Sequence, residues 1–223
     1  MLTPTFACKR IVYIEDLVVI VNTPSLEEKL AIARLKRGDL DGMETLVKRY
    51  QVRAVYAAFL IARDPKLAED VVQDAFLRMA EKIGQFDEDR PFGAWFMRIV
   101  INAATKAAGK QRRFMPLEGP QNEETSAVAD WLMDPAARPD LIAETNETRQ
   151  MVWKALGELT AEQRAVIIMR HFLDMSEAEM TRELDRPLTT VRWRLKTARN
   201  QLRKILQHFW KKDYQEAQDE EQG

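Results

Sequence analysis

The sequence predicts an all-α protein built as two small helical domains, and three observations carry that expectation. Apolar residues recur at helical spacing, and no stretch sustains the period-two alternation of a half-buried strand. Several segments open on the residue pairs that cap helices. The eight Gly and nine Pro are too few for a many-stranded β fold with a turn every ten residues. The 223 residues suffice for two domains of ordinary size, and 46% apolar content lets each half bury a core.

Taken in order, residues 1–24 read as a poorly ordered leader. Their apolar stretch from Ile11 to Val21 is interrupted by Glu15 and Asp16 and is followed by no small-residue cleavage site, so it does not read as a signal peptide. Ser25 with Glu28, Thr160 with Gln163 and Ser176 with Glu179 each fit a capping box. Asp64-Pro65 places an N-cap acceptor before a proline at the first helical position. Leu67, Val71, Ala75 and Met79 form one apolar stripe, and Val191, Leu195, Ala198 and Leu202 form another. Helices are expected near 27–36, 39–62, 65–83 and 91–111, then near 145–157, 161–173, 176–184 and 188–210. Residues 114–144, rich in acids and interrupted by Pro116, Pro120, Pro135 and Pro139, read as a linker, with room for one helical turn around Trp131. As a flexible coil it separates its ends by about 30 Å. The expected divisions are 1–24, 25–113, 114–144, 145–212 and an acidic tail, 213–223.

The net charge of −1 hides segregated fields. Nine bases and no acid lie between Arg186 and Lys212, whereas eight acids and one base lie between Glu118 and Glu147. It is the local field that a polyanion meets. Cys8 is the only cysteine, which excludes an internal disulfide and a cysteine metal site and fits a cytoplasmic location. No apolar run approaches the ~18 residues that would span a bilayer, so no membrane insertion is expected. Neither a metal nor a cofactor is expected.

The densest pattern lies between Met175 and Arg203. A capped short helix meets a break at Asp185-Arg186-Pro187, and a longer helix follows. Pro187 cannot donate a helical hydrogen bond and disfavours helical geometry at Arg186, which makes the pair a helix-turn-helix. Thr189, Thr190, Trp193 and Arg194 cluster at the start of the second helix, the end that enters a major groove. Arg192, Lys196, Arg199 and Arg203 form a basic stripe suited to bases and phosphates. A solvated basic face on an ordinary helix is the plain alternative. Trp193 is open between packing on the first helix and touching DNA.

These residues resemble a known family. Ala155-Leu-Gly-Glu-Leu-Thr160, Glu162-Gln-Arg164 and Val166-Ile-Ile-Met-Arg170, followed by the helix-turn-helix, look like region four of bacterial RNA polymerase sigma factors. Ala68 to Leu77, Phe86-Asp87 and Arg90 to Ile99 look like region two of the extracytoplasmic-function group of the sigma-70 family. The resemblance implies a protein that binds core polymerase, recognises and melts promoter DNA, and starts transcription. It implies that Asp70, Gln73, Asp74 and Leu77 dock on the clamp helices of the polymerase's largest subunit. It implies that Arg98, Asn102, Lys106, Lys110, Arg112 and Arg113 hold the melted minus-ten element, and that Thr189, Thr190, Arg192, Trp193, Arg194, Lys196 and Arg199 read the minus-thirty-five element. Phe92, Trp95 and Phe96 sit beside the basic stretch, where rings can stack on unpaired bases, although such spacing more often marks a core. Family members are often held inactive by an anti-sigma protein, a candidate partner. The chain departs from the family in having Asp185 where glycine is usual in the recognition turn, and Lys106 where an acid is common.

Two other readings compete. A stand-alone helix-turn-helix regulator accounts for residues 145–210 but not for the Asp70 face. An enzyme of the di-metal carboxylate kind lacks the Glu-x-x-His ligand pattern, and the chain has no Gly-rich phosphate loop and no nucleophile elbow. No catalytic residue is expected.

Overall fold

The computed structural model describes the backbone of residues 25–114 and 151–220, and the side chains of 25–111 and 151–207. The expected leader, the helical turn at Trp131 and nearly all of the expected linker lie outside the described residues. What is described is helical: α1 (Leu26–Lys36), α2 (Gly42–Ala62), α3 (Pro65–Lys82), α4 (Phe92–Phe114), α5 over 151–157, α6 (Ala161–Phe172), α7 (Glu177–Leu184) and α8 (Leu188–Glu220).

Local chemistry sets most of the boundaries. Thr160 and Ser176 each close a full capping box with Gln163 and Glu179. The Asp64 side chain accepts from the Leu67 N–H ahead of Pro65. Ser25 is only half a box. Its hydroxyl accepts from the Glu28 N–H, but the Glu28 side chain turns inward, 2% exposed, to take the Tyr50 hydroxyl at 2.5 Å and the Arg49 guanidinium at 2.7 Å. A buried carboxylate bound to a cation outcompetes a backbone cap.

Helix α2 begins three residues later than the spacing suggests. Asp39 and Asp41 instead bind Arg34 and hold the turn, with Gly38 at φ +83°. Gly42 lets α2 approach α1, because a Cβ there would lie 2.4 Å from the Ala31 carbonyl oxygen. Helix α8 continues ten residues past the expected end at 210. Nothing between Leu188 and Glu220 is Gly or Pro, so no breaker stops it.

The helices form two clusters. In the first, α2, α3 and α4 pack around Tyr50, Phe76, Phe92, Phe96, Met79 and Ile101, all buried. In the second, α6, α7 and α8 close over Val166, Met169, Met180, Val191 and Leu195. The two expected helical clusters are both present, and α6 also packs against α2 and α4, so that one apolar core runs through them.

Candidate nucleic-acid and polymerase interfaces

The helix-turn-helix is assembled from backbone detail. Asp185 caps α7 in left-handed geometry (φ 48°, ψ 53°), a conformation that aspartate tolerates better than most residues. The Arg186 N–H donates to the Thr181 carbonyl, and Pro187 leads into α8. Glu179 receives the Ser176 backbone N–H and then its hydroxyl, and both contacts hold its carboxyl below the ordinary range.

On α8, Val191, Leu195 and Ala198 are buried. Thr189, Arg192, Lys196, Arg199 and Arg203 are exposed, while Thr190 and Arg194 are half-buried. Trp193 is 63% exposed, which decides its orientation: it faces solvent beside the basic stripe rather than the α7 side of the core. Arg192 is held at its Nε by Glu177 of α7, at 2.7 Å.

On α3, Asp70, Gln73, Asp74 and Leu77 are exposed along one face, opposite buried Val71, Val72, Ala75 and Phe76. Leu77 is 64% exposed, an apolar residue in an acidic and amide surface.

The third group divides. Phe92 and Phe96 are buried, and Trp95 lies half-buried against Phe86 and Phe92, with ring centres at 5.1 and 5.6 Å. These rings are therefore core in this structure. Lys106 and Lys110 are exposed. The side chains of Arg112 and Arg113 lie outside the described residues. Arg98 and Asn102 do not face solvent freely: the Arg98 Nη1 contacts the Glu183 carboxylate of α7, and the Asn102 amide donates to the Glu183 carbonyl at 3.2 Å.

Sequence reasoning missed the residues that join the clusters. Arg63, left-handed at the end of α2 (φ 60°), lies over the Trp153 ring at 4.1 Å and donates to the Trp153 carbonyl at 2.7 Å. Phe59 stacks on the Trp153 ring, with ring centres 4.4 Å and planes 13° apart. Buried Arg164 donates to the Ile61, Leu156 and Leu159 carbonyls at 2.8, 3.3 and 2.6 Å. Nothing in the spacing of these residues announces a partner 90 or more positions away.

Comparison with known proteins decides the family. The family description "Sigma-70 region 2" matches residues 46–114, and "Sigma-70, region 4" matches residues 149–202. The chain belongs to the sigma-70 family of RNA polymerase sigma factors. It is 26% identical over 182 residues to the RNA polymerase sigma-H factor of Pseudomonas aeruginosa, covering 81% of this chain and 94% of that one. It is 28% identical over 182 residues to the ECF RNA polymerase sigma-E factor of Escherichia coli (strain K12), covering 78% and 91%.

Among solved structures it resembles CnrH in complex with the cytosolic domain of CnrY (TM-score 0.53, 25% identity, 82% of this chain and 98% of that chain). It shares its fold with the sigma factor RpoE of Bartonella quintana, solved with the anti-sigma factor NepR (TM-score 0.53, 21% identity, 74% and 96%). The chain is an extracytoplasmic-function sigma factor. It directs polymerase to promoters and into initiation, and it is not an enzyme. Among the described residues no helix is long and apolar enough to cross a membrane, and no three His, Cys, Asp or Glu gather as a metal would need.

Proposed function

We propose that this sigma factor divides its work among three surfaces. Residues 25–113 bind polymerase and the minus-ten element, and residues 145–212 read the minus-thirty-five element. The exposed α3 face (Asp70, Gln73, Asp74 and Leu77) docks on the clamp helices of the largest polymerase subunit, as an acidic helix with an apolar anchor docks on a basic groove. Arg98, Asn102, Lys106, Lys110, Arg112 and Arg113 track the opened strand. Thr189, Thr190, Trp193 and Arg194 enter the major groove, with Arg192, Lys196 and Arg199 on base edges and phosphates.

The observation that carries this reading is the two-faced α8. It has an apolar side sunk in the core and a basic side, with Trp193 at its groove end, left in solvent. The cytoplasm, where polymerase works, is the proposed location. An anti-sigma protein of the kind bound to the Bartonella factor is a proposed partner. Run-off transcription with purified core polymerase on a genomic DNA library tests the whole reading. Defined start sites that depend on the protein support it, and a folded protein that yields none refutes it.

A further inference from the structure

We propose that Glu177, on the first helix of the helix-turn-helix, is a positioning residue for promoter reading: it fixes the Arg192 guanidinium so that its two terminal nitrogens meet one guanine of the minus-thirty-five element. This role rests on the assignment of Arg192 to that element.

The Glu177 Oε2 accepts from the Arg192 Nε at 2.7 Å, a contact between helices across fifteen residues of chain. A guanidinium is a planar fork, and Nε supplies only one of its N–H groups. The rest belong to Nη1 and Nη2, which have no partner among the described residues, and the side chain is 63% exposed. Arginine recognises guanine through two hydrogen bonds, to O6 and N7. Anchoring at Nε leaves that pair of donors unspent and restricts the plane in which they lie.

Among the described residues, Arg192 is the one cation of α8 gripped by a carboxylate; Arg194, Lys196, Arg199 and Arg203 form no ion pair. A freely turning cation suits phosphates, whereas a cation held in one plane suits a base edge. Glu177 is also not needed to start its own helix, because the Ser176 cap is closed by Glu179. An exposed ion pair adds little to stability. In this motif the first helix crosses the DNA backbone, where an acid repels phosphate. With stability small and affinity opposed, orientation of Arg192 is what Glu177 supplies.

The test uses holoenzyme assembled from core polymerase and the full chain. Its ligand is duplex DNA carrying the promoter mapped by run-off transcription, together with versions in which each base pair of the minus-thirty-five element is replaced in turn. Competition binding reads the preference at each position. The wild type is expected to prefer guanine at the position Arg192 meets by about five- to hundredfold, the range for one bidentate pair. Glu177→Ala should cut that preference about two- to tenfold, the range for having to order a long side chain on binding, and leave other positions unchanged. Glu177→Gln, which keeps the shape and offers a weaker acceptor, should fall between. In an Arg192→Ala background neither change should have any effect, since the two residues act as one unit. Binding of the free full chain to non-promoter duplex at fixed salt should be retained or tightened, because a repulsive charge has gone. An acid serving only the first turn of α7 would alter helix stability and not the choice of base.

An unchanged guanine preference in Glu177→Ala overturns the proposal, as does an equal loss at every position or on non-promoter DNA. A base other than guanine preferred where Arg192 acts overturns it too. Arg192→Ala separates the underlying assignment. If it leaves every base preference intact, the minus-thirty-five role of Arg192 fails. If it removes the guanine preference while Glu177→Ala does not reduce it, only the positioning role fails.

Discussion

Arg164→Met offers a direct test of how the two clusters hold each other. The guanidinium is buried and donates to three carbonyls: those of Leu156 and Leu159 around the end of α5, and that of Ile61 near the end of α2. Methionine fills similar space and donates nothing. Each hydrogen bond from a charged group contributes about 1.5–3 kcal/mol, and each abandoned buried acceptor costs about 1–3 kcal/mol. Water can reach some of the freed carbonyls, and the charge no longer needs desolvation, so the net loss is about 3 kcal/mol rather than the sum. At about 2–4 °C per kcal/mol for a chain of this size, Tm should fall by about 6–12 °C. Differential scanning calorimetry measures it. Arg164→Lys should recover less than half of the loss, because one ammonium cannot span three acceptors as a planar fork does. A Tm within 2 °C of wild type for Arg164→Met, or full recovery with lysine, would refute the claim that this side chain ties α5 to α2.

Further outcomes follow from the surfaces. Arg192→Ala or Arg194→Ala should weaken minus-thirty-five recognition by about 1–3 kcal/mol while competition for core polymerase is unchanged; equal loss of core binding would count against the assignment. Asp70→Lys with Asp74→Lys should reduce competition for core by like-charge repulsion, read by displacement of a labelled sigma factor, with the fold intact by circular dichroism. Burial, and then the hydrogen bond to Glu28, raises the Tyr50 hydroxyl above its ordinary value of 10.0. Its stabilising contribution is therefore complete below pH 10 and is lost as pH rises through the higher folded value. Tyr50→Phe should be less sensitive to alkaline unfolding than wild type, and an identical alkaline limb in both proteins would argue against the buried Glu28–Tyr50 pair.

Most of the local structure was legible in the sequence, because capping and periodicity are short-range physics. Thr160, Ser176 and Asp64 cap as their neighbours dictate, and Asp185 adopts the left-handed turn that the family usually gives to glycine. Ser25 shows the limit. Its partner Glu28 fits a capping box by spacing, but the cation and hydroxyl that draw it inward, at Arg49 and Tyr50, lie more than twenty residues away. The exposed α3 face and the apolar side of α8 follow from helical periodicity alone. The orientation of Trp193 does not, since one aromatic beside two faces fits either. The junction of the clusters was invisible for a stronger reason. Arg63, Trp153 and Arg164 act through backbone carbonyls and a ring face, and neither kind of partner leaves a mark in sequence.

The packing between the clusters has a physical reason. Small helical units bury little of their surface alone, so the packing of α6 on α2 and α4 stabilises the C-terminal cluster. Polar contacts add modestly to it: the Arg98–Glu183 ion pair is partly exposed and screened by water, and Trp153 meets the Phe59 ring and the Arg63 guanidinium in a stack of modest strength. The apolar core that runs through both clusters therefore carries most of the hold, with buried Arg164 as its main polar tie.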